Sequence, residues 1–274
     1  MVAKPFVKWA GGKRWLLSRS EFEIPNFEGR YIEPFVGGGA VFFHVAPRTG
    51  TLADANPRLI AAYAALKDNW SAVYSHLKKY VKLHSAEFYY EERSKSRRSK
   101  YSRAAQFIYL NRTCFNGLYR ENLKGQFNVP IGIKTQVLRP DDDFRAIAHA
   151  LHNIDLRCQD FEETLASATS GDFIFVDPPY TVAHNANGFI EYNQKIFDWG
   201  DQVRLKGCVA NALERGATVF LTNANHESII ELYADLGTPL VMPRNSKISG
   251  KLTGRGQSTE VLYRLGVRKR SRFE

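Results

Sequence analysis

The chain has 274 residues, 44% of them hydrophobic, with 38 Lys and Arg against 28 Asp and Glu. That length and apolar content fill the core of one large domain, or of one domain with a sizeable insertion, and exclude a disordered chain. The net charge of +10, carried by clustered basic residues, points to a polyanionic partner, nucleic acid before an anionic membrane. No apolar run reaches the ~18 residues of a membrane span, and no signal peptide or lipidation motif is present, so the expected location is the cytoplasm.

In chain order, Arg30 to Glu33 leads as a strand into a glycine turn, and Ala40 to Val45 looks helical. Thr51 to Ala53 is a short apolar run ending at Asp54, and Leu59 to Leu66 has helical apolar spacing. From about Tyr89 to Pro130 the pattern turns aromatic, basic and Asn-rich, which suggests an inserted module. Phe173 to Val176 reads as a buried strand, Gln202 to Leu213 as a helix, and Thr218 to Thr222 and Glu260 to Leu265 as further strands. Strands separated by helical segments predict an α/β fold with a wound, mostly parallel sheet. Cys114, Cys158 and Cys208 stand far apart with no CxxC pair, so neither a disulfide framework nor a metal site is expected.

The glycine turn lies in YIEPFVGGGAVFF, with Gly37, Gly38 and Gly39 between strand and helix. Bare backbone there suits a nucleotide-like ligand. The dinucleotide fingerprint would need glycine where Phe42 stands, and a P-loop would need Ser or Thr where Arg14 follows Gly12-Lys13. What remains is a ligand with a ribose but no polyphosphate, because Asp54 ends the next strand 17 residues after Gly37 and a carboxylate can accept both ribose hydroxyls. S-adenosylmethionine fits; a tight structural turn followed by a helix-capping Asp is the competing reading.

The stretch FIFVDPPYTV puts Asp177 at the carboxyl end of a buried strand, followed by Pro178, Pro179 and Tyr180. The prolines hold the backbone extended and supply no N–H, so the segment offers acceptors. Asp177 and the Pro178 carbonyl can each take a hydrogen from an exocyclic amine while Tyr180 stacks on its ring. Held in this way, an adenine N6 becomes more tetrahedral and its lone pair is freed for attack on a sulfonium methyl. Methylation of cytosine C5 would need a cysteine, typically after proline, and no cysteine is so placed.

KWAGGK at Lys8 to Lys13, EPFVGGGAVF at Glu33 to Phe42, ADANPRLI at Ala53 to Ile60, LNRTCFNGLYRENLKGQFNVPIG at Leu110 to Gly132 and VDPPY at Val176 to Tyr180 together resemble the Dam-type, α-group N6-adenine DNA methyltransferases, in order and over nearly the whole chain. The resemblance implies a Rossmann-like SAM-binding catalytic domain in residues 1–66 and 150–274. Residues 67–149 would then be an inserted, mainly helical target-recognition domain carrying a β-hairpin. It implies cofactor contacts from Trp9, Ala10, Gly11 and Lys13, from Phe35, Gly37 and Gly39, and from Asp54 to the ribose. Asp160 and Phe161 would meet the cofactor adenine, and Asp177 both cofactor and target.

Six basic and no acidic residues lie between Arg93 and Arg103, and in an insertion of this kind Arg93, Arg97 and Arg98 are expected on DNA phosphates, which orient but do not choose sequence. Leu118 to Pro130 reads as a hairpin with Lys124 and Gly125 at its turn. By resemblance, Leu118 and Pro130 touch thymine methyls, Arg120 takes a guanine in its fork, and Lys8 approaches another guanine. Phe115 stands where the family often has a tyrosine that wedges into the stack left by a flipped adenine, and Arg112, Asn116, Asn122 and Lys124 complete the expected DNA contacts. Thr181 to Phe197, polar and with Gly188, is expected to close over the base in the Asp177 pocket. Arg244 to Gln257 is basic and without period, and the terminal RKRSRFE reads as a solvated tail.

These residues predict transfer of a methyl group to adenine N6 in duplex DNA within GATC, with another adenine-containing site as the alternative. Rival readings are an N4-cytosine methyltransferase, which would favour Ser before Pro-Pro-Tyr, an RNA or protein methyltransferase, which would favour Asn at 177, and a DNA-binding module without catalysis. A bacterial or phage-encoded monomer is expected, with a cognate restriction endonuclease as an open partner that forms no stable complex.

Overall fold

The computed structural model describes residues 3–122, 124–133, 136–182, 197–245 and 257–267. Among the described residues there are seven strands: β1 (Tyr31–Glu33), β2 (Gly50–Ala53), β3 (Ile154–Arg157), β4 (Phe173–Val176), β5 (Thr218–Ala224), β6 (Leu240–Asn245) and β7 (Gln257–Leu265). They follow the order β3-β2-β1-β4-β5-β7-β6. The expected α/β class and mostly parallel sheet are found, with β7 antiparallel to both neighbours. The chain divides into two compact units, residues 1–22 with 36–158, and residues 23–35 with 159–274.

In the first unit β2 runs parallel to β3 in the register Gly50 to Ile154. The glycine turn gives way to α1 (Ala40–Val45), matching the expected helix, and β2 gives way to α2 (Pro57–Leu83). Asn56 caps α2 by accepting from the Arg58 and Leu59 N–H groups, and Pro57 suits a first helical turn, where its missing N–H costs nothing. This helix extends well past the expected Leu66 and carries one non-helical residue, Asn69 (φ −153°, ψ 81°). Residues 67–149 hold the remainder of α2, then α3 (Ala86–Ser94), α4 (Lys100–Thr113), a short hairpin and all but the last residue of α5 (Phe144–Ala150). Helix α4 packs along α2, with Tyr109 against Tyr80 at 5.0 Å and Ala105, Ile108, Val73 and Leu77 buried in these two helices. The hairpin pairs Glu121 with Phe127. Its turn closes through Gly125 N–H on the Asn122 carbonyl at 2.9 Å, with Gly125 in the left-handed region at φ 69°.

In the second unit β1, β4 and β5 are parallel, Tyr31 facing Phe173 and Val176 facing Leu221. Every residue of FIFV is buried, as expected of a parallel strand covered on both faces. Helices α6 (Phe161–Ala166), α7 (Trp199–Glu214) and α8 (Glu227–Leu232) accompany this part of the sheet. Leu165, Leu205, Val209 and Ile229 pack into one apolar cluster with Ile174, Val176, Val219 and Leu221. An Asp198–Asp201 capping box starts α7. The expected loop at Thr181 to Phe197 falls within residues 183–196 apart from its ends, and Arg244 to Gln257 apart from its ends lies at 246–256; these, with the tail from Arg268, lie outside the described residues. No described helix is long and apolar enough to cross a membrane.

Candidate active site and nucleic-acid interface

In the first unit, the glycine turn is built around positive φ at Gly37 (46°) and Gly39 (67°). Gly37 N–H donates to Asp54 Oδ2 at 3.1 Å, and Asn56 N–H to Asp54 Oδ1 at 2.9 Å. Burial raises the Asp54 pKa above the usual carboxylate value, opposed by these two backbone donors. A carboxylate has about four acceptor positions, so two remain for a pair of ligand hydroxyls. Tyr63 donates its hydroxyl to the Gly37 carbonyl at 3.1 Å. A Cβ on Gly37 would lie 2.6 Å from Trp9 Cδ1, and one on Gly39 2.6 Å from the Tyr63 hydroxyl. Trp9, Gly37, Gly39 and Asp54 are therefore brought together, with Tyr63 added from α2. Lys13 is buried and donates to the Gly11 carbonyl at 2.9 Å, in the turn that exposes Ala10 and Gly11.

The second unit holds Asp177 and Tyr180 at the end of β4. The β4–β5 register sets Asp177 beside Thr222, whose Oγ1 donates to Asp177 Oδ1 at 2.8 Å. Tyr180 donates its hydroxyl to Glu260 Oε2 at 2.7 Å. Glu260 is buried in β7 and ion-pairs with Arg244. Burial, with the charges of Asp177 and Glu260, holds the Tyr180 phenol well above its usual pKa, so it stays neutral. Pro178 is buried and Pro179 half-buried behind them. Asp160 caps α6 and is gripped by both terminal nitrogens of Arg204 at 2.7 and 3.0 Å. Burial opposes its charge, yet Arg204 and the Glu162 N–H hold it below the usual carboxylate pKa. Phe35, Phe161 and Phe197 form an aromatic group with centroids 5.4 to 5.7 Å apart. Arg204 lies over Phe161 at 4.2 Å.

The residues expected on DNA divide into two groups. Phe115 is 52% exposed and Leu118 38%, and Asn116, Arg98, Arg120, Lys124 and Pro130 are also exposed. Phe115 N–H donates to the Pro130 carbonyl at 2.9 Å, which joins the end of α4 to the end of the hairpin. Asn116 takes a left-handed φ of 55°, unusual for a residue with a side chain. Lys8 is held against this turn: its N–H donates to Asn111 Oδ1 at 2.8 Å, and a Cβ on Gly117 would lie 2.4 Å from Lys8 Cδ. Arg120 Nε donates to Asn128 Oδ1 across the hairpin at 2.9 Å.

Arg112 is a correction. It is 1% exposed, forks onto Asp142 and donates to the carbonyls of Phe6 and Val137 at 2.8 and 2.9 Å. Its guanidinium holds the fold and is not presented to DNA. Arg97 forks onto buried Glu92, Arg93 donates to the Val129 carbonyl at 3.1 Å, and the Asn122 carboxamide closes the hairpin turn with Lys124 N–H, Gln126 N–H and Gln126 Oε1. Sequence reading missed Tyr63, Thr222, Arg204 and Glu260. Of these, Glu260 carried a signal: an acid directly before the largely apolar run VLYRL.

The seven-stranded, mostly parallel sheet is consistent with a Rossmann-like methyltransferase fold. A model of the D12 class N6 adenine-specific DNA methyltransferases matches residues 9–245, and the chain belongs to that family. It is similar to the type II methyltransferase M1.LlaDCHI of Lactococcus lactis subsp. cremoris, 35% identical over 268 residues that cover 94% of each chain. The DNA adenine methylase of Escherichia coli K12 is 31% identical over 270 residues, 96% of each chain. The DNA N-6-adenine-methyltransferase of Escherichia phage P1 is 36% identical over 262 residues, 93% of this chain and 34% of that protein.

Proposed function

We propose that this adenine-specific DNA methyltransferase takes its methyl group from S-adenosylmethionine and delivers it to N6 of an adenine turned out of the duplex, within GATC. The observation that carries the reading is the pair of supported side chains at the end of β4: Asp177 held by the Thr222 hydroxyl and Tyr180 held by Glu260. Asp177 and the Pro178 carbonyl accept the two N6 hydrogens, Tyr180 stacks on the base, and Pro179 keeps the backbone extended. The cofactor supplies an electrophilic methyl on sulfur. In the first unit Gly37, Gly39 and Asp54, with Trp9, Ala10, Gly11 and Lys13, are proposed to receive it. The turn closed by Gly37 and Gly39, where a Cβ would meet Trp9 or Tyr63, and the remaining acceptor positions of Asp54 fit a ribose-bearing ligand. In the second unit Phe35, Asp160 and Phe161 are proposed as its further contacts.

Residues 67–149 are proposed to recognise the target. Exposed Phe115 supports a role in the vacated stack, and Leu118, Arg120 and Pro130, with Lys8, support base contacts. The motif from Leu110 to Gly132 carries the GATC assignment, with another adenine-containing site as the alternative. Action as a monomer in the cytoplasm, without a stably bound endonuclease, completes the reading.

The test is nucleoside mass spectrometry on unmethylated plasmid incubated with protein and S-adenosylmethionine, with Asp177→Ala alongside. N6-methyldeoxyadenosine made only by the unaltered protein is the expected result, and GATC-sensitive digestion of that DNA checks the site. DNA binding without any methylated nucleoside would overturn the catalytic assignment.

A further inference from the structure

Tyr119 lies between the two hairpin residues expected to read bases, and it points elsewhere. Leu118 and Arg120 are exposed, whereas Tyr119 is partly buried, the alternation of an extended strand. Its ring stacks on Trp9 with centroids 5.5 Å apart and planes at 24°. It also meets Phe107 of α4 at 5.3 Å and Phe127 of the returning hairpin arm at 5.7 Å. The Tyr119 hydroxyl donates to Glu121. Glu121 pairs with Arg58 Nε at 3.1 Å, and Arg58 Nη2 donates to the Gly125 carbonyl at 2.7 Å. The hairpin is thus seated at one end by a ring and at its tip by a guanidinium from the first turn of α2.

We propose that Tyr119, Glu121 and Arg58 are positioning residues for sequence discrimination, an inference that rests on the hairpin's role in target recognition stated above. Because side chains alternate along an extended strand, a slip or rotation at Tyr119 would turn Leu118 and Arg120 away together. Arg58 is 50% and Glu121 29% exposed, and such an exposed pair adds little stability on its own. Its effect lies in direction: one guanidinium spans the strand at Glu121 and the turn at Gly125, which fixes the tip relative to the base. Trp9 extends the seat to the glycine turn, since it packs against Gly37.

The experiment measures kcat and KM on a duplex carrying GATC and on each single-base variant of it, for the unaltered protein and for Tyr119→Ala, Tyr119→Phe, Arg58→Ala and Arg120→Ala. Tyr119→Ala and Arg58→Ala are expected to lower the ratio of kcat/KM between the preferred duplex and its variants by about tenfold, as loosened reading groups would. Tyr119→Phe, which keeps the ring on Trp9, retains most of the ratio. Should Tyr119→Ala not fold, half-exposed Arg58→Ala carries the test. An unchanged ratio in Arg58→Ala and Tyr119→Ala, or a fall in kcat that is equal on every duplex, overturns the positioning role while loss of the ratio in Arg120→Ala leaves the hairpin reading standing. Full discrimination by Arg120→Ala overturns the hairpin reading and this inference with it.

Discussion

Thr222 donates its hydroxyl to Asp177 at 2.8 Å from the neighbouring strand, 45 residues further along the chain. The bond fixes one carboxylate oxygen and so the direction in which Asp177 presents the rest of its acceptors. A hydrogen bond to a charged group contributes about 1.5–3 kcal/mol. Thr222→Val, which keeps the shape and removes the donor, is therefore expected to lower kcat about 10- to 100-fold with a smaller change in KM for DNA. Thr222→Ser should recover most of the rate. Steady-state kinetics of the two variants check this.

Gly37→Ala places a methyl 2.6 Å from Trp9 at a φ of 46°. The backbone alone costs about 1–2 kcal/mol for a residue with a Cβ, and the indole must also move. We expect a lower Tm and weaker S-adenosylmethionine binding by calorimetry, whereas Gly207→Ala, a helical position with open space around a Cβ, should leave binding unchanged and raise the Tm slightly.

Arg112 and Arg98 separate structural from electrostatic arginines. Arg112→Ala breaks a buried ion pair with Asp142, a loss of about 3–5 kcal/mol, and should appear as a fall in denaturation midpoint. Arg98→Ala, at an exposed site, should leave the midpoint nearly unchanged while reducing the slope of log K for DNA against log salt by about one. An Arg112 variant that folded normally and lost one unit of salt slope would reverse the assignment.

Asp172 gives a pH signature. Its side chain is 2% exposed and accepts from Arg30 N–H at 2.7 Å, Arg30 Nη2 at 2.8 Å and Thr169 N–H at 2.9 Å. Burial works against its charge, but these donors hold its pKa below the usual 3.8. A depressed pKa contributes stability that is present above the unfolded value and is lost as pH falls through the folded one. Asp172→Ala should cost about 3 kcal/mol near neutrality, and the difference from the unaltered protein should shrink below pH 3.8. Urea unfolding at several pH values measures it.

Five strands were legible in the sequence because their apolar runs are buried where they were read: β1, β2, β4, β5 and β7. Two were not. In β3 the apolar pattern is broken by exposed Asp155 and Arg157. In β6, Pro243 and Arg244 argue against a strand, and the fold tolerates the proline because β6 is an edge. The site shows the same division. Asp54 and Asp177 stand where their strands were expected to end, but Glu260 comes to Tyr180 across 80 residues and Arg112 meets Asp142 across 30. Local pattern reports which residues end a strand; it does not report which distant side chain meets them there. Arg112 looked like a DNA contact because a lone basic residue in an insertion carries no sequence mark of burial.

The position of β7 between β5 and β6 bears on how the protein is made. Both neighbours leave the ribosome before it, yet β6 joins the sheet only through β7, which pairs with β5 on one side and β6 on the other. The nascent chain therefore carries β5 with an open flank until β7 is made, and Tyr180 meets Glu260 only once that residue has been synthesised. By this ordering the hydrogen bond that holds Tyr180 follows the synthesis of β7.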